Sequence, residues 1–122
     1  MLGQLSFQEE QAMQAVWKTG EGNVKTILEN MDEEDKPPYT TLASTIKNLE
    51  KKGYVQSRLI GNTYLYKPAV KENDYKKSFL TGVVKKHFSN SYKDLVAFFA
   101  EQKKISSKEL KEIVDMIEKK KK

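Results

Sequence analysis

The sequence predicts a mainly α-helical chain with one small β-hairpin, divided into residues 1–70 and residues 71–122. Three observations point there. Apolar residues recur at three- and four-residue spacing in six stretches, the period of a helix that buries one side. Two runs rich in β-branched and aromatic residues, beginning at Tyr54 and at Thr63, flank Gly61-Asn62, a two-residue hairpin turn. Beyond Val70 the composition shifts towards lysine and phenylalanine, with no further strand pattern.

Taken in order, Ser6 and Glu9 have the spacing of a capping box, and Ala12, Met13, Val16 and Trp17 form the inward stripe of a first helix ended by Gly20 and Gly22. Asn23 caps a short second helix with Val24, Ile27, Leu28 and Met31 inward. The run Asp32 to Asp35 reads as a solvated acidic loop, since consecutive carboxylates rarely converge on one ion. After Pro37-Pro38 a third helix buries Leu42, Ile46 and Leu49. At about 100° per residue, Thr40, Ser44, Lys47 and Lys51 point the opposite way, flanked by Thr41 and Asn48. Lys51-Lys52-Gly53 closes this helix, with bases in the last turn and glycine at the cap. Arg58 and Lys67 lie along the hairpin that follows, and Pro68 stops its second strand.

The second part reads as three helices. The first runs from Asp74 to Phe88, with Phe79, Leu80 and Val83 on it. Ser89-Asn90-Ser91 breaks it and caps the next, which carries Leu95, Val96, Phe98 and Phe99. Ser106 and Glu109 are placed as a second capping box. Leu110, Ile113, Val114 and Ile117 then repeat at helical spacing, and the run Lys119 to Lys122 suits a helix C-terminus. About 50 residues cannot cover four phenylalanines, so a second copy of the chain is the expected cover, with packing on the chain's own winged lobe as the alternative. Phe79, Leu80, Val83, Phe88, Leu95, Phe98, Phe99, Leu110, Ile113 and Ile117 are the candidate dimer-interface residues.

Composition narrows the function. Net charge is +5, unevenly spread. Residues 1–35 hold two lysines and eight acids, residues 36–70 six bases and one acid, and residues 71–122 fourteen lysines and eight acids. The third helix and hairpin are thus basic beside an acidic neighbour, which favours a polyanion facing them. Hydroxyls, an amide and ammoniums on one face suit phosphates and base edges. A helix with that face followed at once by a hairpin is the outline of a winged helix-turn-helix. The chain has no cysteine, so disulfides and thiolate metal sites are excluded. A single histidine, His87, no glycine-rich phosphate loop and no paired carboxylates in an apolar pocket pattern argue against an enzyme, and no metal or cofactor is expected. No stretch is apolar enough to span a membrane and the start lacks a signal-peptide pattern, so the expectation is a cytoplasmic protein. A protein-interaction module and a ligand-gated winged-helix regulator, its phenylalanines lining a pocket, are the alternative readings.

The motifs also carry a resemblance. LSFQEEQAMQAVWKTGEGNVKTIL, PPYTTLASTIKNLEKKGYV, IGNTYLYKPAV, DYKKSF, DLVAFFAE and ISSKELKEI occur in this order, from Leu5 to Ile117. Together they resemble the BlaI/MecI/CopY family of penicillinase- and copper-type transcriptional repressors. The resemblance implies a homodimer with two winged lobes and an entwined helical lobe, repressing transcription from a palindromic double-stranded DNA operator. Matching positions place Thr40, Thr41, Ser44, Thr45, Lys47 and Asn48 near DNA, and the outer face read from helical spacing adds Lys51. Asn48 stands where members often carry arginine, and Asn62 where many have an arginine at the wing tip, which leaves Arg58 as a compensating phosphate contact. The copper-responsive branch carries a C-terminal cysteine cluster that is missing here. The antibiotic-responsive branch is inactivated by proteolysis in the helix aligned with Leu95–Glu101, which implies a membrane sensor peptidase as a further partner and Phe98-Phe99 as the aligned bond.

Overall fold

Residues 3–120 are described by a computed structural model, the side chain of Lys120 excepted. Lys121 and Lys122, part of the expected basic helix end, lie outside the described residues. The chain divides after Ser78 into two compact units.

In the first unit, Ser6 and Glu9 satisfy each other's backbone N–H groups at 3.1 and 2.9 Å and start α1, Phe7–Thr19. Gly20, at φ 83°, ends it. Asn23 accepts from the Thr26 N–H at 2.9 Å and starts α2, Val24–Glu29. The acidic run forms a single 3₁₀ turn, Glu33–Asp35, on the surface. Pro38 fixes an extended entry to α3, Tyr39–Lys51, with no side-chain cap. At the far end Gly53, at φ 85°, lets the Tyr54 N–H reach the Leu49 carbonyl at 2.9 Å and its own N–H reach Glu50 at 3.0 Å. This is the glycine-dependent helix stop that the Lys51-Lys52-Gly53 pattern predicts. The chain then enters β1, Val55–Ile60, turns at Gly61-Asn62 and returns as β2, Thr63–Pro68. Positive φ at Gly61, the first central residue, fits a type II′ turn, whose twist matches that of the strands.

The core lies among α1, α2, α3 and the base of the hairpin. Met13, Val16, Ile27, Leu42, Ile46, Leu49, Tyr54 and Val55 are buried there. Trp17 packs at its edge: its indole N–H donates to the Val70 carbonyl at 2.9 Å, and its ring lies 5.5 Å from that of Tyr75. The Tyr75 hydroxyl donates to Glu10 at 2.7 Å, so the first turns of α4, Glu72–His87, belong with this unit. Burial and the Glu10 carboxylate both push the Tyr75 phenol upward, so it stays a donor.

One feature has no counterpart in the sequence pattern. Gly22, expected only to terminate α1, pairs with the hairpin: its N–H donates to Tyr66 at 3.0 Å and its carbonyl accepts from Tyr66 at 2.8 Å. A side chain there would meet Thr19 Cγ2 at 2.9 Å and Thr26 Cβ at 3.2 Å, so glycine is required by space.

The second unit contains the rest of α4, α5 (Tyr92–Glu101) and α6 (Ser107–Lys120). Ser89 and Asn90 take left-handed conformations that break α4, and Ser91 caps α5 by accepting from Asp94 N–H at 3.1 Å. Ser106 and Glu109 form the second capping box. Among the described residues of this unit only Val84 is buried.

Gly22→Ala is expected to lower the unfolding free energy of the chain by about 1–3 kcal/mol, through crowding rather than lost hydrogen bonds. Adding Thr19→Ser, which removes the methyl and keeps the hydroxyl, should restore part of that loss in urea denaturation.

Candidate nucleic-acid interface

The buried stripe of α3 decides what its outer face shows. With Leu42, Ile46 and Leu49 inward, Thr40, Ser44, Lys47 and Lys51 are all exposed, and Asn48 is exposed beside them. Thr41 and Thr45 differ. Both are half-buried and line a groove of about 480 Å³ against Phe7 and Gln11 of α1 and Pro38. The Thr45 hydroxyl donates to the Thr41 carbonyl at 2.9 Å, so it is satisfied within its own helix. The fully outward polar set is therefore Thr40, Ser44, Lys47, Asn48 and Lys51.

The hairpin stands beside this face. Lys47, Glu50 and Lys51 from α3, with Ser57, Tyr64 and Tyr66 from the strands, line a cleft of about 380 Å³. Glu50 accepts a hydrogen bond from the Ser57 hydroxyl, which joins helix to wing. Tyr66 is buried at the cleft floor, and burial raises its phenol above the usual value. Asn62 is exposed at the turn, flanked by Ile60, itself half exposed.

Successive strand residues face opposite ways. Ser57 looks to α3, and Arg58 therefore looks to the other side of the ribbon, where it meets Glu21. The two form a forked pair, Nε to Oε2 at 2.9 Å and Nη2 to Oε1 at 2.8 Å. Arg58 holds the Glu21 carboxyl below its ordinary range, with Lys67 adding to the effect. The expected phosphate contact is thus already engaged with a carboxylate of the α1–α2 loop. Lys52, read from sequence as a helix-end charge, donates to Glu9 at 2.7 Å and to the Gln4 carbonyl at 3.0 Å, tying the end of α3 to the start of α1. Sequence pattern marks none of these long-range partners, because Glu21 and Glu9 are separated from theirs by 37 and 43 residues.

The candidate dimer residues all lie in the second unit. Phe79, Leu80, Phe98, Phe99, Ile113 and Ile117 are exposed, and Val83, Phe88, Leu95 and Leu110 are half-buried. Phe98 touches the edges of Phe88 and Phe99, at ring separations of 5.8 and 5.7 Å. Among the described residues no group of His, Cys, Asp and Glu could hold a metal ion, and no helix is long and apolar enough to cross a membrane.

A helical core with a two-stranded wing beside an exposed third helix defines a winged helix-turn-helix protein. Residues 5–119 match the family model described as "Penicillinase repressor", and the chain belongs to that family. It is 22% identical to the penicillinase repressor of Bacillus licheniformis over 115 residues, 94% of this chain and 90% of the relative. It is 23% identical to the methicillin resistance regulatory protein MecI of Staphylococcus aureus (strain N315) over 117 residues, 96% of this chain and 95% of the relative. Its fold is similar to the solution structure of the DNA binding domain of the repressor BlaI, with a TM-score of 0.53 and 24% identity, covering 62% of this chain and 92% of that one.

The Glu9–Lys52 pair makes the stability of this unit pH-dependent. Lys52 and the Ser6 N–H hold Glu9 below the ordinary glutamate value of 4.5. Its contribution is therefore complete above pH 4.5 and is lost as pH falls through the depressed folded value. Lys52 is one-third exposed, so Glu9→Gln is expected to cost only about 1 kcal/mol at neutral pH. The difference from the unsubstituted chain should shrink towards zero in urea titrations carried to about pH 3.

Proposed function

We propose that this chain is a homodimeric, sequence-specific DNA-binding transcriptional repressor. Residues 1–70 form the DNA-binding lobe and residues 71–122 the dimerising one. The observation that carries the reading is the exposed outward set of α3, Thr40, Ser44, Lys47, Asn48 and Lys51, standing beside a wing. In this reading α3 enters the major groove, as recognition helices of helix-turn-helix proteins do. Thr40, Ser44 and Asn48 offer donors and acceptors to base edges, while Lys47 and Lys51 neutralise phosphates and set the register. Thr41 and Thr45 sit one side round, towards α1, and fit sugar–phosphate contacts at the groove rim. Asn62 takes the wing tip to the backbone without a charge.

The second unit supports the dimer. Its apolar side chains are too exposed for a helical unit that stands alone, and a second copy related by a two-fold axis buries the same surface on both. Two winged lobes then face two half-sites, which is why a palindromic operator belongs to the proposal. Relief of repression by cleavage at Phe98-Phe99, through a membrane sensor peptidase, is its finest detail. Both rings are exposed, but the bond lies inside α5, so cleavage requires local unwinding of that helix.

A gel shift on DNA upstream of the chain's own gene, run at several salt concentrations, tests the interface. Lys47→Ala and Lys51→Ala should each weaken binding and lower the salt slope by about one. No shift by the unsubstituted chain at low salt would favour a protein-interaction module instead. For the dimer, Phe98→Asp should convert the chain to monomers in sedimentation equilibrium and weaken operator binding, while leaving the core of the first unit folded.

A further inference from the structure

The forked Glu21–Arg58 pair does more than decorate the wing. Arginine has five N–H donors, and Glu21 takes the Nε–H and one Nη2–H, which leaves the far edge of the guanidinium unused by the carboxylate. The Arg58 side chain is 59% exposed, so that edge faces solvent, three residues from the turn and about 10 Å from the wing tip. Geometrically it is an anion site; electrically it is not, because the pair carries no net charge.

The carboxylate is held in place by the backbone. Gly22, next in the chain, exchanges two hydrogen bonds with Tyr66, and Tyr66 lies opposite Ser57, the neighbour of Arg58. Loop and strand therefore share one rigid frame, and Glu21 meets Arg58 without ordering a mobile segment. Arg58 and Lys67 keep the Glu21 carboxyl ionised well below neutrality, so the pair is intact over the whole working range.

We infer that Glu21 is an internal competitor for phosphate that keeps Arg58 from adding to sequence-independent DNA affinity. This rests on the DNA-binding reading above. A phosphate reaching Arg58 must either displace a carboxylate of similar geometry or approach a neutral pair, and in both cases it gains little. The wing then contributes position and shape rather than bulk attraction. A sequence-independent contact cancels in the ratio between one sequence and another, so silencing Arg58 lowers the affinity for all DNA and leaves discrimination to the residues of α3.

The test uses a random-sequence duplex of about 30 base pairs, long enough for one dimer, with binding followed by anisotropy across a salt series. The full chain is compared with Glu21→Gln, Arg58→Ala, the double variant, and Glu29→Gln as a control that removes one exposed acid elsewhere in the same unit. Thermal unfolding of each variant confirms that it is folded. Glu21→Gln is expected to tighten binding about 3–10-fold at low salt and to steepen the salt slope by about one. Glu29→Gln and the double variant should keep the original slope. An unchanged slope in Glu21→Gln, or an equal steepening when Arg58 is absent, overturns the inference while leaving DNA binding intact. No binding by any variant at low salt overturns the DNA-binding reading and this inference with it.

Discussion

The exchange of two backbone hydrogen bonds between Gly22 and Tyr66 is the constraint on which the arrangement of the first unit depends. A two-stranded ribbon is marginal by itself. Here β2 gains a second partner from the α1–α2 loop, and that partner is part of the helical core's own frame. Tyr66 is buried as a consequence, which seats the ribbon against α3 and creates the cleft lined by Lys47, Lys51 and Ser57. The Glu50–Ser57 contact closes the same seam from the helix side. The wing's position relative to α3 is therefore set by backbone geometry at a residue that has no side chain. Thr19 and Thr26 leave room for nothing larger there.

The two units are built on opposite principles. The first buries a continuous cluster from Ala12 to Tyr66 and fastens its ends with specific hydrogen bonds: Trp17 to Val70, Tyr75 to Glu10, Tyr54 to Gly3. The second has well-capped helices but almost no interior. Its helices are specified locally, by Ser91, by the Ser106–Glu109 box and by the left-handed residues Ser89, Asn90 and Lys103. Local specification without burial leaves apolar area uncovered, so this unit's stability is tied to whatever covers it. In the proposed dimer that makes folding of the second unit and assembly one event, and repression sensitive to anything that unwinds α5.

Much of this was legible in the sequence, for a physical reason. Capping boxes, the double proline before α3, Gly53 after it and Gly61-Asn62 between strands are local rules read over four residues or fewer. The stripe Leu42, Ile46, Leu49 gives the orientation of α3, and hence its outward face, from periodicity alone. Non-local partners escaped. Nothing in the local pattern tells that Gly22 is a strand partner rather than a helix stop, because its role is carried by backbone atoms. The neighbours of Arg58 in the sequence offer it no partner, because Glu21 is 37 residues away. The resemblance places Thr45 near DNA, while its angle on the helix turns it towards α1.

Charge shows the same lesson with consequences for binding. Segment totals set a strongly acidic stretch against a strongly basic one, but the fold brings the two together. Among the described residues, Lys36 pairs with Glu33, Lys52 with Glu9 and Arg58 with Glu21, each base of residues 36–70 meeting an acid of residues 1–35. Lys47, Lys51 and Lys67 take part in none of these pairs. Half of the apparent positive charge is thus consumed in holding the lobe together, and two of the three remaining lysines lie on α3 itself. An electrostatic footprint concentrated on one helix face, rather than spread over the lobe, steers a polyanion to that face and adds little attraction elsewhere.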